Sequence, residues 1–222
     1  MKKRSFFWGL TGLSAAVLLG GAASLYQATE TRLWIDRAAG LSISVPTVSD
    51  EDDITLGYFV EKDRTERHPL AFSRATGDGD WFFEQTVAMT VCVLEAGPGI
   101  GNQVRSLLSV AVNEGAAKSR EVCESLSYQG NHTTQRVFHS ARNVETAAGR
   151  MILCEVGFSD NGQEEMKRAR QLYGLMAVGS TAYGLSCAVI AEDEETIMRH
   201  WDERRSELHR IFGSLAYQPA SR

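Results

Sequence analysis

The sequence predicts an α+β domain built on an antiparallel sheet covered by helices. Three observations carry that prediction. Strand-like segments outnumber helical ones, and most follow one another as hairpin neighbours. The helical segments fall between strand groups and at the C-terminus. The chain has 222 residues, enough to bury a sizeable core in one domain once a short leader is set aside.

The leader comes first. Met1-Lys2-Lys3-Arg4 is basic, and residues 5–26 carry no charge and are rich in Phe, Trp, Leu, Ala, Val and Gly. A basic start, an apolar stretch and then Gly20-Gly21-Ala22-Ala23-Ser24 make an export signal with small residues before Ser24 for cleavage. The cations stay on the cytoplasmic side. The alternative is a retained anchor over residues 5–26, long enough for a bilayer of about 30 Å at about 1.5 Å per residue. The expected organisation is therefore a signal peptide over 1–23, or a membrane anchor to about 26, followed by a single α+β domain over 31–217. No cysteine lies near residues 20–25, so a lipoprotein anchor is not indicated.

Residues 31–36 and 41–45 read as two short strands around Ala38-Ala39-Gly40. Leu41, Ile43 and Val45 alternate with Ser42 and Ser44, the period of a half-buried strand, and Pro46 ends it. Residues 48–53 form an acidic loop and 54–60 another strand. Residues 61–80 are charged and turn-rich, with His68-Pro69 and Gly77-Asp78-Gly79-Asp80 as turn chemistry. Residues 86–94 are apolar on both faces, which predicts a central strand covered on both sides. A Gly-rich break leads to a helix over 103–118, where Ile100, Val104, Leu107, Leu108 and Ala111 recur at helical spacing. Residues 128–140 alternate as a polar strand, and 151–158 form an apolar one. Residues 163–169 extend a loop or make a helical turn. Residues 172–178 and 182–190 form a hairpin around Gly179-Ser180-Thr181. The last element, 192–215, is an amphipathic helix. Ile197, Trp201, Leu208, Ile211, Phe212 and Leu215 make its stripe, which Arg204 and Arg205 interrupt. Acids crowd its start, and His209 and Arg210 lie near its end, as the helix dipole favours.

Charge and cysteine content narrow the function classes. The formal net charge is −5, and loss of Lys2, Lys3 and Arg4 with the leader takes it to −8. An acidic exported domain is a poor partner for nucleic acid, whose phosphates demand cations. Asp50-Glu51-Asp52-Asp53 and Glu192-Asp193-Glu194-Glu195 are acidic clusters whose plain reading is a solvated loop and a helix start. The four cysteines, Cys92, Cys123, Cys154 and Cys187, predict two disulfides in an oxidising compartment, with three connectivities open. Cys154 shares a strand face with Ile152, Val156 and Phe158. Cys187 shares one with Tyr183, Leu185 and Val189. If those faces meet, Cys154 pairs with Cys187 and Cys92 with Cys123.

The C-terminal third resembles the PsbP-like family, which includes PsbP-type extrinsic photosystem proteins and the periplasmic DcrB-like proteins of bacteria. The residues that carry the resemblance are Ala182-Tyr183-Gly184-Leu185-Ser186-Cys187-Ala188, an acidic helix start, and the helix end Ile211-Phe212-Gly213-Ser214-Leu215. Leu41-Ser42-Ile43-Ser44-Val45-Pro46 resembles the family's opening strand, without the Trp that commonly follows the Pro. The resemblance implies an α/β/α sandwich and carries over no catalytic residue.

Motifs for chemistry are sparse. Gly97-x-Gly99-x-Gly101 sits between a strand and a helix, but its spacing is one residue short of a dinucleotide loop and no Gly-Lys-Ser/Thr follows. It reads as a turn. The histidines are His68, His132, His139, His200 and His209. His132 and His139 with Glu145 or Glu155 could assemble a zinc site on paper, but scattered surface histidines are the simpler reading. Ser159, in Gly157-Phe158-Ser159-Asp160-Asn161, lacks the second Gly of a hydrolase elbow. No catalytic residue, metal ligand or cofactor is assigned. Trp81-Phe82-Phe83 follows a Gly/Asp turn and is a candidate partner-binding patch if exposed; otherwise it packs as the lead-in to the next strand. Asn131-His132-Thr133 matches a glycosylation sequon.

The reading is an exported, non-enzymatic accessory or binding protein acting on a protein partner in the cell envelope. It has no nucleic-acid partner, and it touches the membrane only through an uncleaved leader. Alternatives are a secreted or periplasmic hydrolase and an inhibitor or immunity-type protein. Mass spectrometry of the mature protein tests the leader: the expected first residue is Ser24, and Met1 would contradict cleavage.

Overall fold

Alternation of apolar residues makes each long strand two-faced, and seven strands join edge to edge in one sheet. The computed structural model describes residues 30–36, 40–47, 58–60, 65–78, 85–126, 134–160 and 168–217. The main sheet runs in the order β3 (Phe59–Val60), β4 (Leu70–Asp78), β5 (Gln85–Pro98), β9 (Thr181–Ala191), β8 (Arg168–Val178), β7 (Gly149–Asp160) and β6 (Thr134–Thr146), every pairing antiparallel. A second sheet joins β1 (Glu30–Asp36), β2 (Leu41–Thr47) and β10 (Ala216–Tyr217). The described helices are α1 (Gly101–Asn113), α2 (Ala116–Leu126) and α3 (Glu194–Gly213). The fold is α+β, with helices on both faces of an antiparallel sheet.

The two faces have separate cores. On one, Phe72, Leu94, Cys187, Leu172 and Met151 pack against Trp201, Leu208, Ile211 and Phe212 of α3 and against Leu41, Ile43 and Val45 of β2. On the other, Ile152, Cys154 and Leu175 pack under Leu108 and Ala111 of α1 and Val122 and Cys123 of α2. Two features set α3 in place. Asp193 caps its start, its carboxylate accepting from the Thr196 N–H at 2.8 Å. Gly174 leaves room for the Phe212 ring, since a Cβ there would fall 2.8 Å from Cδ1. At the far end the Ser214 hydroxyl accepts from the Ser44 N–H at 2.9 Å and fastens the helix to β2.

Several sequence expectations change. The turn-rich stretch 61–80 contains strand β4, because Leu70 and Phe72 alternate into the core and the charge that hid the pattern, Arg74, pairs with Glu207 of α3. The helix expected over 103–118 is two helices, broken at Gly115, whose φ of 81° suits a residue without Cβ. Cys123 therefore lies within α2 rather than beyond a single helix. Residues 134–146 form a full edge strand, and 168–170 belong to β8 rather than to a loop. Of the strand expected over 54–60, residues 58–60 are described. The leader, the Asp50–Asp53 cluster, the Trp81-Phe82-Phe83 segment and the Asn131-His132-Thr133 sequon lie outside the described residues.

The disulfides form, with a different pairing. Cys92 bonds Cys187, and Cys123 bonds Cys154. Cys154 and Cys187 cannot meet, because β8 separates their strands and their side chains lie on opposite faces. A sheet with two buried faces makes "apolar neighbours" an insufficient guide to facing. Cys92 and Cys187 are direct partners in the β5–β9 register, 4.1 Å apart at Cα. Cys123–Cys154 ties α2 to β7. Non-reducing peptide mapping should recover these two pairs. On the chain-entropy model, bridges across separations of 95 and 31 residues each stabilise by about 2–5 kcal/mol, the longer one more. Thermal melts of Cys92→Ala/Cys187→Ala and Cys123→Ala/Cys154→Ala check the order.

Candidate functional site

Among the described residues, the three helices leave part of the seven-stranded sheet uncovered. α1 and α2 lie over β6, β7, β8 and the near side of β9. Among the described residues, three successive rungs have no helix over them across β4, β5 and β9: Ala71–Val93–Ser186, Ser73–Val91–Ala188 and Ala75–Met89–Ile190, with Ala75 itself buried. None of these nine side chains is charged, although charged residues make up 23% of the chain. Met89 is 42% exposed, and Val91, Val93, Ala188 and Ile190 are half-buried. At one end Ile100, at the start of α1, lies over Gly97 of β5, where a Cβ would fall 2.8 Å from its Cδ1. Ile100, Leu107 and Val110 are exposed, so the apolar surface continues onto that side of α1. The rim is polar: Glu95 faces His68 at 3.6 Å, and Tyr173 lies over Gly184. Burial first, and Glu95 second, push the Tyr173 hydroxyl up to about 12.

On the α3 face a polar group interrupts the core. Glu155 of β7 is 3% exposed. Its Oε1 accepts from Arg170 Nε at 3.0 Å and from Arg170 Nη2, and its Oε2 accepts from Arg205 Nη2 and the Ser140 hydroxyl, both at 3.3 Å. Arg170 also lies 5.3 Å from the Trp201 ring centroid. Burial pushes the Glu155 carboxyl up, but the Arg170 hydrogen bonds and the charges of Arg170, Arg205 and His139 outweigh it, and the group sits below the usual carboxylate range. His139, at the bulge of β6, reaches over Gly157, and His209 of α3 meets Arg142. Both imidazoles are held below their ordinary value of 6.5, by burial first and by arginines second. On the other flank of α3, Arg204 reaches Thr76 of β4 at 3.3 Å and Glu207 reaches Arg74 at 3.5 Å. The two arginines that break the apolar stripe thus dock α3 on opposite sides.

The structure does not gather the sequence-singled histidines. His68 lies beside Glu95, His139 lies on the opposite face of the sheet, and His132 is outside the described residues. Glu145 pairs with Arg150, and Glu155 is taken by two arginines. Among the described residues no three His, Cys, Asp or Glu side chains converge as metal ligands. A cleft of about 500 Å³ is lined by Arg105, Ser109, Ala148, Arg150 and Tyr217 among others, and no histidine lines it. Gly99 has φ 82°, and Gly101 abuts the β8–β9 turn, its N–H donating to Ser180 O at 2.9 Å. These glycines build a turn. Glu192-Asp193-Glu194-Glu195 supplies the cap and first turn of α3. Sequence reasoning missed the open rungs and the Glu155 group. A lone Glu in the apolar run Met151-Ile152-Leu153-Cys154-Glu155-Val156 was the available signal for the second.

A scan of protein-family models finds no match, and no curated protein matches the sequence. Among solved structures the chain is similar to cyanobacterial PsbP from Synechocystis, at 10% identity and TM-score 0.48, over 86% of this chain and 95% of that one. It is also similar to LpqN, a protein involved in cell envelope biogenesis of Mycobacterium tuberculosis, at 13% identity and TM-score 0.45, over 86% and 91%. The likeness is one of fold, and no residue role is taken from either protein.

The buried pair sets a pH dependence. Glu155 has a lowered pKa when folded, so its contribution is present above the unfolded value and lost as pH falls through the folded one. The lowered values of His139 and His209 act in the same direction, because below about 6.5 the unfolded chain takes up protons first. Stability should therefore fall on acidification. Glu155→Gln should cost about 1–3 kcal/mol near neutral pH, with the gap to wild type narrowing below the ordinary carboxylate value of 4.5. Denaturant titrations across pH check both.

Proposed function

We propose that this chain is an exported, non-enzymatic accessory protein that holds a protein partner in the cell envelope. The observation that carries the reading is the open half-face of β4, β5 and β9. Its three uncharged rungs have the make-up of a surface awaiting a cover. The covered part of the same face takes helices α1 and α2, and the reverse face takes α3. The occupant is therefore an apolar helix presented by a partner protein, lying across β4 and β5 beside Ile100. Trp81, Phe82 and Phe83, between β4 and β5 in the sequence, are further candidates for contact with the partner. Two disulfides suit an oxidising, extracytoplasmic compartment, as does the signal expected over 1–23.

Photo-crosslinking in the native envelope tests this. A crosslinker at Val91 should yield one discrete protein adduct that a crosslinker at Glu121 of α2 does not. Val93→Glu should abolish that adduct while leaving the melting transition and both disulfides in place. The same adducts from both positions, or none from Val91, would contradict the reading.

A further inference from the structure

On the opposite side of the sheet from the open rungs, β6 and α3 border a basic strip in an otherwise acidic chain. Arg142 and Ser140 of β6 point to the same face as Glu155, because they pair with Leu153 and Glu155 across the β6–β7 ladder. Arg205 and His209 come from the flank of α3 that also carries Met198 and exposed Asp202. Arg142 Nη2 lies 2.7 Å from His209 Nδ1. A guanidinium only donates, so the ring accepts there and is neutral, with its remaining proton on Nε2. Arg205 gives one nitrogen to Glu155 and keeps half of its side-chain surface exposed. His139 adds a second imidazole at the bulge.

Counting charge makes the strip unusual. Arg170 and Arg205 hold one carboxylate, Glu155, and Arg142 adds a third guanidinium beside His209. Even with Asp202 included, a positive surplus remains while both imidazoles are neutral. Burial is the first cause of the lowered imidazole values, and the neighbouring arginines add to it.

We infer that the strip formed by Arg142, Arg205 and His209 binds a phosphoryl group. Two guanidiniums arriving from different elements and an imidazole N–H offer donors in several directions, while the Ser140 hydroxyl is already given to Glu155. A tetrahedral oxyanion has an oxygen for each, whereas a planar carboxylate is satisfied by one guanidinium edge. The phosphoryl group can be free or carried on a lipid headgroup. Either would restore the charge balance that Glu155 leaves incomplete. The site lies away from the open rungs, so its failure and that of the proposed partner interface are separate results.

The test uses the mature chain and inorganic phosphate, with the His139 and His209 resonances followed by NMR as phosphate replaces chloride at constant ionic strength. The expected result is a saturable shift of His209 and an upward move of its titration midpoint. Arg142→Gln and Arg205→Gln should each weaken phosphate binding by about tenfold or more, while Lys118→Gln on α2 should not. A non-saturating response, or full affinity in both arginine variants, overturns the inference. Co-sedimentation with phosphatidic acid vesicles separates the two sources. Vesicle binding lost in both variants assigns the lipid headgroup. Phosphate binding without vesicle binding assigns a free phosphoryl ligand. Vesicle binding that survives both substitutions overturns the site.

Discussion

A sheet has two faces, and each must be covered or used. That constraint organises this molecule. Among the described residues, seven strands present more apolar surface than the three helices bury. The C-terminal helix α3 takes most of one face, with β2 behind it. The pair α1 and α2 takes the β6–β8 half of the other. The remaining half, on β4, β5 and β9, is left with alanines, valines, Met89 and Ile190, and no charge. Such a patch is the basis of the proposed partner surface.

The position of α3 follows from polar docking as much as from burial. Its apolar stripe, led by Trp201 and Phe212, supplies most of the attraction, at about 1.5–3 kcal/mol for each fully buried large side chain. Burial alone does not fix the helix in rotation or along its axis. Arg204 and Glu207 on one flank reach Thr76 and Arg74 of β4, and Arg205 on the other reaches Glu155 of β7. The Asp193 cap and the Ser214–Ser44 bond fix the two ends. Misplacement by one turn would strand Glu155 and Arg170 without one of their partners, and a buried unpaired charge is costly.

Much of this was legible in the chain and some was not, for physical reasons. The hairpin of β8 and β9 and the stripe of α3 are encoded locally, by alternation and by helical spacing, and were readable. Strand β4 was not, because Arg74 and the Gly77-Asp78 pair look like a loop until Glu207 is brought beside Arg74 from 133 positions away. The helix break at Gly115 was overlooked because the apolar spacing ran on towards it. The disulfide pairing failed on strand order: alternation tells which residues share a face, but not which strand is the neighbour. The same limit hid the candidate site. Residues 86–94 look fully buried because both faces are apolar, and only the placement of α1 and α2 shows that Val91 and Val93 are left half open.

The central claim is that the open rungs are covered in the cell by a partner. Methionine oxidation reads this directly, since Met89 and Met198 are similarly exposed, at 42% and 38%, on opposite faces. With mild peroxide, Met89 should be oxidised several-fold more slowly in the native envelope than in the purified protein, while Met198 changes little by comparison. Equal rates for Met89 in both settings would contradict the account.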